Sequence, residues 1–493
     1  MAFGIVAALI ASIIVANAIG PTRLGNFNYV LWLTTITASV GATGLAITTR
    51  KYMAEYLSQD EPGVARAIYF QALKIQALLA FAVTAVGVAL VLVAGDPGEH
   101  LVSILLILNM APRMIGFIPS QANNAAEMMK RNTGPSLLGG IVNVALTLFS
   151  VWMGWNLVGI ALALLAGALL DTLLKLYSVA RWLAPVRTGV ISPELKRRMF
   201  SYSGQGIVLM VLNIVVWDKS DAMVLKWMNS DIRQVTFFTM AFGLTERLQV
   251  LPNIFAGSLS VTMMAQFGRS EERVREIAVI GTKYALLLGL PLLVGLACIS
   301  RLFVLRVYRP EYEPMALVLT IAALMAVPKS LISAPTTLLQ TVEKQGFLIW
   351  TGCLCGVVDI GLDVLLIPSY GALGAALANG SAQTLAAVMI WTRVYREFQM
   401  DLRLAEFGKI TASGALMAGV VLLVQYLVPI SGYPGIAMSV AAGAIAWFGA
   451  LRLTGALNRA DGERLLHIGR LLPGGLRPVL QRCVRLLATE AAA

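Results

Sequence analysis

Apolar stretches of about 20 residues, the length that crosses a hydrocarbon core, recur along this chain from its first residue to Leu453. They leave no room for a large soluble domain, so function has to reside within a membrane. A 493-residue chain that is 58% hydrophobic and only 13% charged, with mean hydropathy +0.77, carries more apolar side chain than a soluble core can hide. Breaking it at Pro, Gly and charge clusters predicts fourteen spans, near 1–19, 27–49, 67–95, 101–121, 136–153, 157–178, 203–228, 236–262, 278–300, 315–341, 348–367, 372–392, 409–428 and 435–453. "VANA" (Val15 to Ala18) looks like a processing site, but no Lys or Arg precedes it, so Met1 to Ile19 is expected to be a true first span.

A net charge of +12 raises the question of nucleic acid, but its distribution gives a simpler cause. Of the 38 Lys and Arg residues, 25 fall in the loops after even-numbered spans or in the tail, and 6 in the loops after odd-numbered spans. Basic residues collect in loops that stay in the cytoplasm. Both termini are therefore expected there, and no nucleic-acid partner is implied. The tail, "ERLLHIGRLLPGGLRPVLQRCVRLL", alternates arginine and leucine at helical spacing, as expected of a segment lying on anionic inner-leaflet lipid.

Several chemistries are excluded. Cys298, Cys353, Cys355 and Cys483 form no C-x-x-C pair, and the only histidines, His100 and His467, lie outside the spans, so no cofactor and no His-based metal site is expected. No phosphate loop of the G-x-x-x-x-G-K-[ST] type is present, so ATP is not the direct energy source. A glycosyltransferase, ligase or polymerase needs catalytic groups in sizeable outer loops, and the longest here, Ser300 to Pro314, offers only "RPEYEP".

The chain also repeats. At an offset of 216, Pro112 meets Pro328, Pro119 meets Pro335, Glu127 meets Glu343 and Gly140 meets Gly356. At the same offset Arg113 falls on Lys329, Asn143 on Asp359 and Thr147 on Asp363. Two related bundles of six spans, at 1–200 and 201–398, are the economical reading, followed by an additional helix pair at 399–455 and a basic cytoplasmic tail at 456–493.

Seven basic residues remain inside spans. Lys74, Lys175 and Lys283 sit within two turns of the cytoplasmic face and are expected to snorkel. Arg113, Arg247 and Lys329 lie roughly 16 to 21 Å in from the outer ends of their spans, too deep for that, so they should face a bundle interior or a wet cavity. Asp218 with Asp221, Asp359 with Asp363, and Asn379 form a second layer, each acidic pair on one helical face. Like charges so close call for a cation or a shared proton. The alternative is an ion-pair network in which Lys219, Arg247 or Lys329 neutralises the acids and only fixes packing.

The segments "IGPTRLGNFNYVLWL", "GATGLAITTRKYMAEY", "WDKSDAMVLKWM", "AFGLTERLQVLPNIFAGSLSVTMMAQF" and "LIPSYGALGAALANG", in this order from Ile19 to about Glu397, carry a family likeness. The chain resembles the Wzx-type polysaccharide-unit flippases of the multidrug/oligosaccharidyl-lipid/polysaccharide exporter superfamily. The resemblance implies an all-α integral membrane protein of about 14 transmembrane helices in two pseudo-symmetric six-helix lobes, V-shaped as in multidrug exporters and lipid II flippases, plus a C-terminal helix pair. It implies transport of an undecaprenyl-pyrophosphate-linked oligosaccharide, with polysaccharide polymerase or assembly proteins as partners and a monomeric chain. Arg113, Arg247 and Lys329 would hold the pyrophosphate, and "TERLQVLP" matches an arginine context of the lipid II flippases. Those relatives carry a sodium site that maps to Asp221, Asp359, Asp363, the Ala375 carbonyl and Asn379, so Na+ or H+ is the implied coupling ion. An asparagine is usual where this chain has Asp359, so the implied site takes a proton instead of sodium or takes both ions, and the lipid II flippases' arginine-rich first span is absent. A multidrug exporter of the same superfamily is the alternative function.

Overall fold

The structure is a computed structural model that describes residues 2–94, 98–217, 220–229, 231–266, 271–342, 344–398, 404–429, 432–457 and 461. Among these residues it is all-helical, as hydrocarbon requires, because a helix satisfies its own backbone polar groups. In chain order the helices are α1 (Ala2–Ile19), α2 (Pro21–Ser58), α3 (Pro62–Ala94), α4 (His100–Leu108), α5 (Met110–Ala125), α6 (Lys130–Trp152), α7 (Asn156–Leu183), α8 (Pro193–Trp217) and α9 (Asp221–Met228). They continue with α10 (Arg233–Gln266), α11 (Glu271–Val307), α12 (Met315–Met325), α13 (Val327–Ser330), α14 (Ser333–Thr341), α15 (Gln345–Tyr370), α16 (Ala372–Phe398), α17 (Leu404–Leu427) and α18 (Tyr433–Thr454).

Each of the fourteen predicted spans carries helix, and 11 stretches among the described residues are long and apolar enough to cross a membrane. This is a multi-pass membrane protein. The helices outrun the apolar stretches that announced them: α2 has 38 residues, about 57 Å at 1.5 Å per residue, against a core of about 30 Å. Hydropathy marks only the part in contact with lipid. The outer segment from Ser300 to Pro314 also shrinks, because α11 runs to Val307 and Pro310–Tyr312 forms a 3-10 turn. The basic tail beyond Leu457 lies outside the described residues, apart from Asp461.

The chain divides into two compact units, Met1–Thr236 and Phe237–Ala493, with the boundary inside α10. In the first, α2, α3, α5, α7 and α8 meet over a core that includes Tyr52, Met53, Ile68, Tyr69, Ile118, Val179, Leu195 and Met199. Arg66 closes the C-terminal end of α7, donating to the carbonyls of Leu183, Ala184 and Val186, where the helix dipole is negative. In the second unit, α17 and α18 pack on α11 through Leu287, Leu290, Ile410, Met417, Trp447 and Leu451.

The repeat is structural. An offset of 216 carries Met110, Lys130 and Asn156, the first residues of α5, α6 and α7, to 326, 346 and 372, each within one residue of the starts of α13, α15 and α16. The paired prolines explain why both copies contain a broken span. Proline has no N–H for the carbonyl four residues earlier, and the breaks, at Asn109, Ala326 and Leu331–Ile332, fall at or within two residues of Leu108, Leu324 and Leu331, whose carbonyls Pro112, Pro328 and Pro335 leave unserved. At Leu331 another helix supplies the missing donor, Trp391 Nε1 donating to the carbonyl at 3.1 Å, and at the break before α13 Gln249 Nε2 donates to the Ala326 carbonyl at 2.8 Å. Pro119 does not break α5, so the first copy is interrupted once and the second twice.

Two of the three lysines expected to snorkel do not. Lys74 is exposed, as expected, but Lys175 is buried against Asp171 at 2.7 Å. Lys283 is 3% exposed, with its ammonium 2.6 Å from both Glu406 Oε2 and Asp461 Oδ2, while the Tyr284 hydroxyl donates to Asp461 Oδ1. Each found a carboxylate nearer than the interface, and for Lys283 the partners come from distant sequence. Removing one partner of a buried ion pair leaves an uncompensated charge and costs about 3 kcal/mol or more. Asp461→Ala should therefore lower the thermal unfolding midpoint of the detergent-purified protein markedly, whereas Lys74→Ala should stay within about 0.5 kcal/mol of the wild type.

Candidate functional site

In the second unit α15 and α16 form a tight hairpin. Gly371 turns the chain at φ 54°, and a Cβ on Gly374 would lie 2.6 Å from the Leu366 carbonyl oxygen, so both positions need glycine. These are the glycines of "LIPSYGALGAALANG". Along α15 the buried residues are Thr351, Cys355, Gly356, Asp359, Asp363 and Ile367, a stripe of nearly constant spacing four, while Val357, Ile360, Val364 and Leu365 are exposed on the other faces. The two acids point into the protein and the aliphatic side chains toward lipid.

Asp359 is fully buried and Asp363 is 1% exposed, and a carboxylate oxygen of each lies within 4.8 Å of the other. Neither oxygen of Asp359 has a hydrogen-bond partner among the described residues, and no Lys or Arg among them forms a salt bridge with it. For this residue the packing-only network lacks its cation. Two carboxylates at such a distance in a dry interior demand a bound cation or a proton, and an all-oxygen donor set suits a hard ion such as Na+.

On α16 Asn379 and Gln383 are buried four residues apart, and Gln383 Nε2 donates to Asn379 Oδ1 at 2.6 Å. Both line a small cavity of about 20 Å³ with Phe242, Thr245, Glu246, Gln249 and Lys329. The Lys329 ammonium stands 5.6 Å from the centre of the Phe242 ring. That volume admits about one water, not a pyrophosphate. The structure thus brings Lys329 together with Asn379. Arg247 has Tyr308 and Glu246 as its electrostatic neighbours and does not line this cavity.

In the first unit Asp221 is fully buried in the opening turn of α9. Asp218 and Lys219 lie outside the described residues. Arg113 occupies the first turn of α5, just past the break at Asn109, with one long hydrogen bond, 3.5 Å to Thr35 Oγ1. It lines a cavity of about 400 Å³ between α2, α5, α6 and α7, which also receives Ser136, Asn143, Asp171 and Lys175.

Three acidic or amide residues, Asp171, Glu246 and Gln383, escaped the sequence reading. The signal for two of them was present, since Asp171 lies four residues before Lys175 and Gln383 four after Asn379, the spacing that places a partner on the same helical face.

Known proteins share this architecture. The chain superposes on the lipid II flippase MurJ in an inward closed conformation with TM-score 0.74 at 13% identity, covering 92% of this chain and 96% of that one. It superposes on an inward-facing multidrug resistance MATE family transporter of the MOP superfamily with TM-score 0.67 at 15% identity, covering 79% and 94%. At such identities these matches show the fold. In sequence, it is 22% identical over 292 residues to the probable low-salt glycan biosynthesis flippase Agl15 of Haloferax volcanii, 57% of this chain and 60% of that protein's length. A family model described as polysaccharide biosynthesis protein matches residues 2–267, more than half of the chain, and on that match the chain belongs to the polysaccharide biosynthesis protein family.

Proposed function

We propose that this protein moves a polyprenyl-pyrophosphate-linked oligosaccharide from the cytoplasmic to the outer leaflet of a bacterial cytoplasmic membrane, by ion-coupled alternating access, for assembly of a cell-surface polysaccharide. The observation that carries the reading is the inward stripe of α15, where two buried carboxylates stand within 4.8 Å of one another in a chain of this family. Such a pair is costly to keep for packing alone. It supports a coupling site of Asp359 and Asp363, to which the Ala375 carbonyl and Asn379 contribute and which takes Na+ or H+. Arg113 serves the pyrophosphate by charge-assisted hydrogen bonds, with Arg247 as a second candidate cation, whereas the cavity at Lys329 is too small to admit that group. The substrate crosses unchanged, so the protein acts as a transporter and not as an enzyme. Both termini lie in the cytoplasm, the basic tail rests on anionic lipid, and polymerase or assembly proteins receive the product.

A multidrug exporter of the same fold is the second reading, favoured by the superposition on a MATE transporter. Cationic drugs would meet Arg113 and Lys175 in one cavity, where Asp171 is the only acid among the described lining residues, and this charge balance opposes them.

The decisive experiment follows a labelled lipid-linked oligosaccharide across vesicles containing the purified protein, under imposed sodium and proton gradients separately. Transport should run with one of the gradients, and Arg113→Gln and Arg247→Gln should each reduce it at least about tenfold while elution on gel filtration stays unchanged. Normal transport by both variants would remove the cavity cations from the reading. Resistance to organic cations on expression, without lipid-linked sugar transport, would favour the exporter.

The acid pair makes its own prediction. An ion that binds only the folded protein stabilises it by an amount that grows with its concentration, so if sodium is the ion, NaCl raises the unfolding midpoint above that in an equal concentration of choline chloride. Asp359→Asn and Asp363→Asn should each abolish that difference. A midpoint indifferent to sodium in the wild type would leave the proton as the coupling ion.

A further inference from the structure

The cavity of the first unit lies against a close glycine contact. A Cβ on Gly139 would meet the Gly167 carbonyl oxygen at 2.7 Å and one on Gly167 the Gly139 carbonyl oxygen at 2.7 Å, so α6 and α7 touch backbone to backbone. Beside this contact lies a chamber of about 400 Å³ lined by Arg113, Lys175 and Asp171 together with the hydroxyls of Thr35, Ser39 and Ser136. Two cations share the space with one carboxylate. Asp171 is fully engaged: Oδ2 accepts from the Lys175 ammonium at 2.7 Å and Oδ1 from Ser136 Oγ at 3.0 Å. Among the described residues Arg113 has the same acid as an electrostatic neighbour and only the long bond to Thr35.

Such a charge set is incomplete by one anion, and the place for it is defined. The Arg113 guanidinium lines the chamber with most of its donors unused among the described residues, and a lysine whose side chain is 10% exposed can turn from Asp171 toward any ligand that replaces it. The matching helices of the second unit carry neither charge of the pair, since Asp171 and Lys175 correspond to Ala387 and Trp391 at the offset of 216. The feature belongs to the first copy of the repeat and not to the shared scaffold. By the charge bias of the loops, α7 runs from the outer face inward, and Asp171 and Lys175 lie roughly 22 to 28 Å along it, on the cytoplasmic half.

We propose that this chamber is a diphosphate subsite reached from the cytoplasmic half of the membrane, in which Arg113 and Lys175 bind the phosphoryl oxygens and Asp171 is a built-in competitor that holds Lys175 while the site is empty. The proposal rests on the flippase reading and deepens it: it names the cavity where the headgroup first lodges and adds Lys175 and Asp171 to its machinery. The resident carboxylate spares the empty state an uncompensated buried ammonium. A diphosphate, with more negative charge than one carboxylate, displaces it, and the displaced acid then favours release.

The test is equilibrium binding of a short-chain isoprenyl diphosphate, and separately of inorganic pyrophosphate, to the full-length protein in detergent. Arg113→Gln and Lys175→Gln should each weaken both ligands at least about tenfold, one lost charge-assisted contact. Arg113→Lys and Lys175→Arg, which keep the charge, should lose less, and this separates binding from misfolding. Asp171→Asn should tighten binding several-fold, a gain that a merely structural acid would not give. Unchanged binding in both glutamine variants, or an Asp171→Asn loss equal to that of Lys175→Gln, overturns the proposal, as does glucuronate binding with the same dependence in place of the diphosphates. If the wild type transports lipid-linked oligosaccharide while these binding results fail, the subsite is wrong and the flippase reading stands; if the wild type transports none, the reading itself fails.

Discussion

The cost of taking charge out of water governs this molecule. An ion in hydrocarbon is tolerable only beside a counter-ion, a ligand or water, and the buried ionisable groups meet that condition to different degrees. Lys283 meets it in full, with two carboxylates at 2.6 Å, and this joins α11 to α17 and to the chain beyond α18. The Asp171–Lys175 pair meets it within one helix, but Arg113 shares the same chamber and leaves an excess of positive charge. Asp359 does not meet it among the described residues. Incomplete neutralisation is where a substrate or coupling ion has work to do, so the same cost that shapes the fold also separates fixed ion pairs from functional ones.

The backbone repeat and the chemistry laid on it follow different rules. Prolines at matched positions break the spans in both copies, and helix starts coincide within a residue. The polar side chains diverge: Asn143 and Thr147 stand where the second copy has Asp359 and Asp363, and Asp171 and Lys175 stand where it has Ala387 and Trp391. Side-chain donors to the backbone near these prolines differ as well, with Thr172 Oγ1 donating to Pro112 O at 2.6 Å in one copy and the indole of Trp391 to Leu331 O in the other. The first copy thus gathers Arg113, Lys175 and Asp171 around its cavity, whereas the second buries two carboxylates close together.

Much of this was legible without coordinates, because membrane burial writes itself into hydropathy. The spans, the repeat and the inward acid pair of α15 all follow from apolar length, proline spacing and the four-residue interval of Asp359 and Asp363. Depth along a helix was legible too, but direction around it was not. Lys175 and Lys283 looked free to reach the interface because their distance to it was short, while the carboxylates that hold them depend on rotamer and on contacts as remote as Asp461. Cavity size was likewise hidden. Lys329 and Arg113 occupy matching positions, yet one lines about 20 Å³ and the other about 400 Å³. In the second unit, Gly380 of α16 lets Met325 of α12 pack against it, and both residues line the small cavity.

The central claim is that the membrane-embedded charges of the first unit face a water-filled chamber rather than lipid. Single cysteines placed at Asn143, which lines the chamber, and at Ile141, which is exposed on the lipid side of the same helix, test it most directly in a background with Cys298, Cys353, Cys355 and Cys483 replaced. The measurement is the reaction rate with a charged, membrane-impermeant thiol reagent in vesicles open to the reagent on both sides. Fast modification at position 143, slowed by an isoprenyl diphosphate, with little at 141, is the result this account predicts; an inert 143 beside a reactive 141 would contradict it.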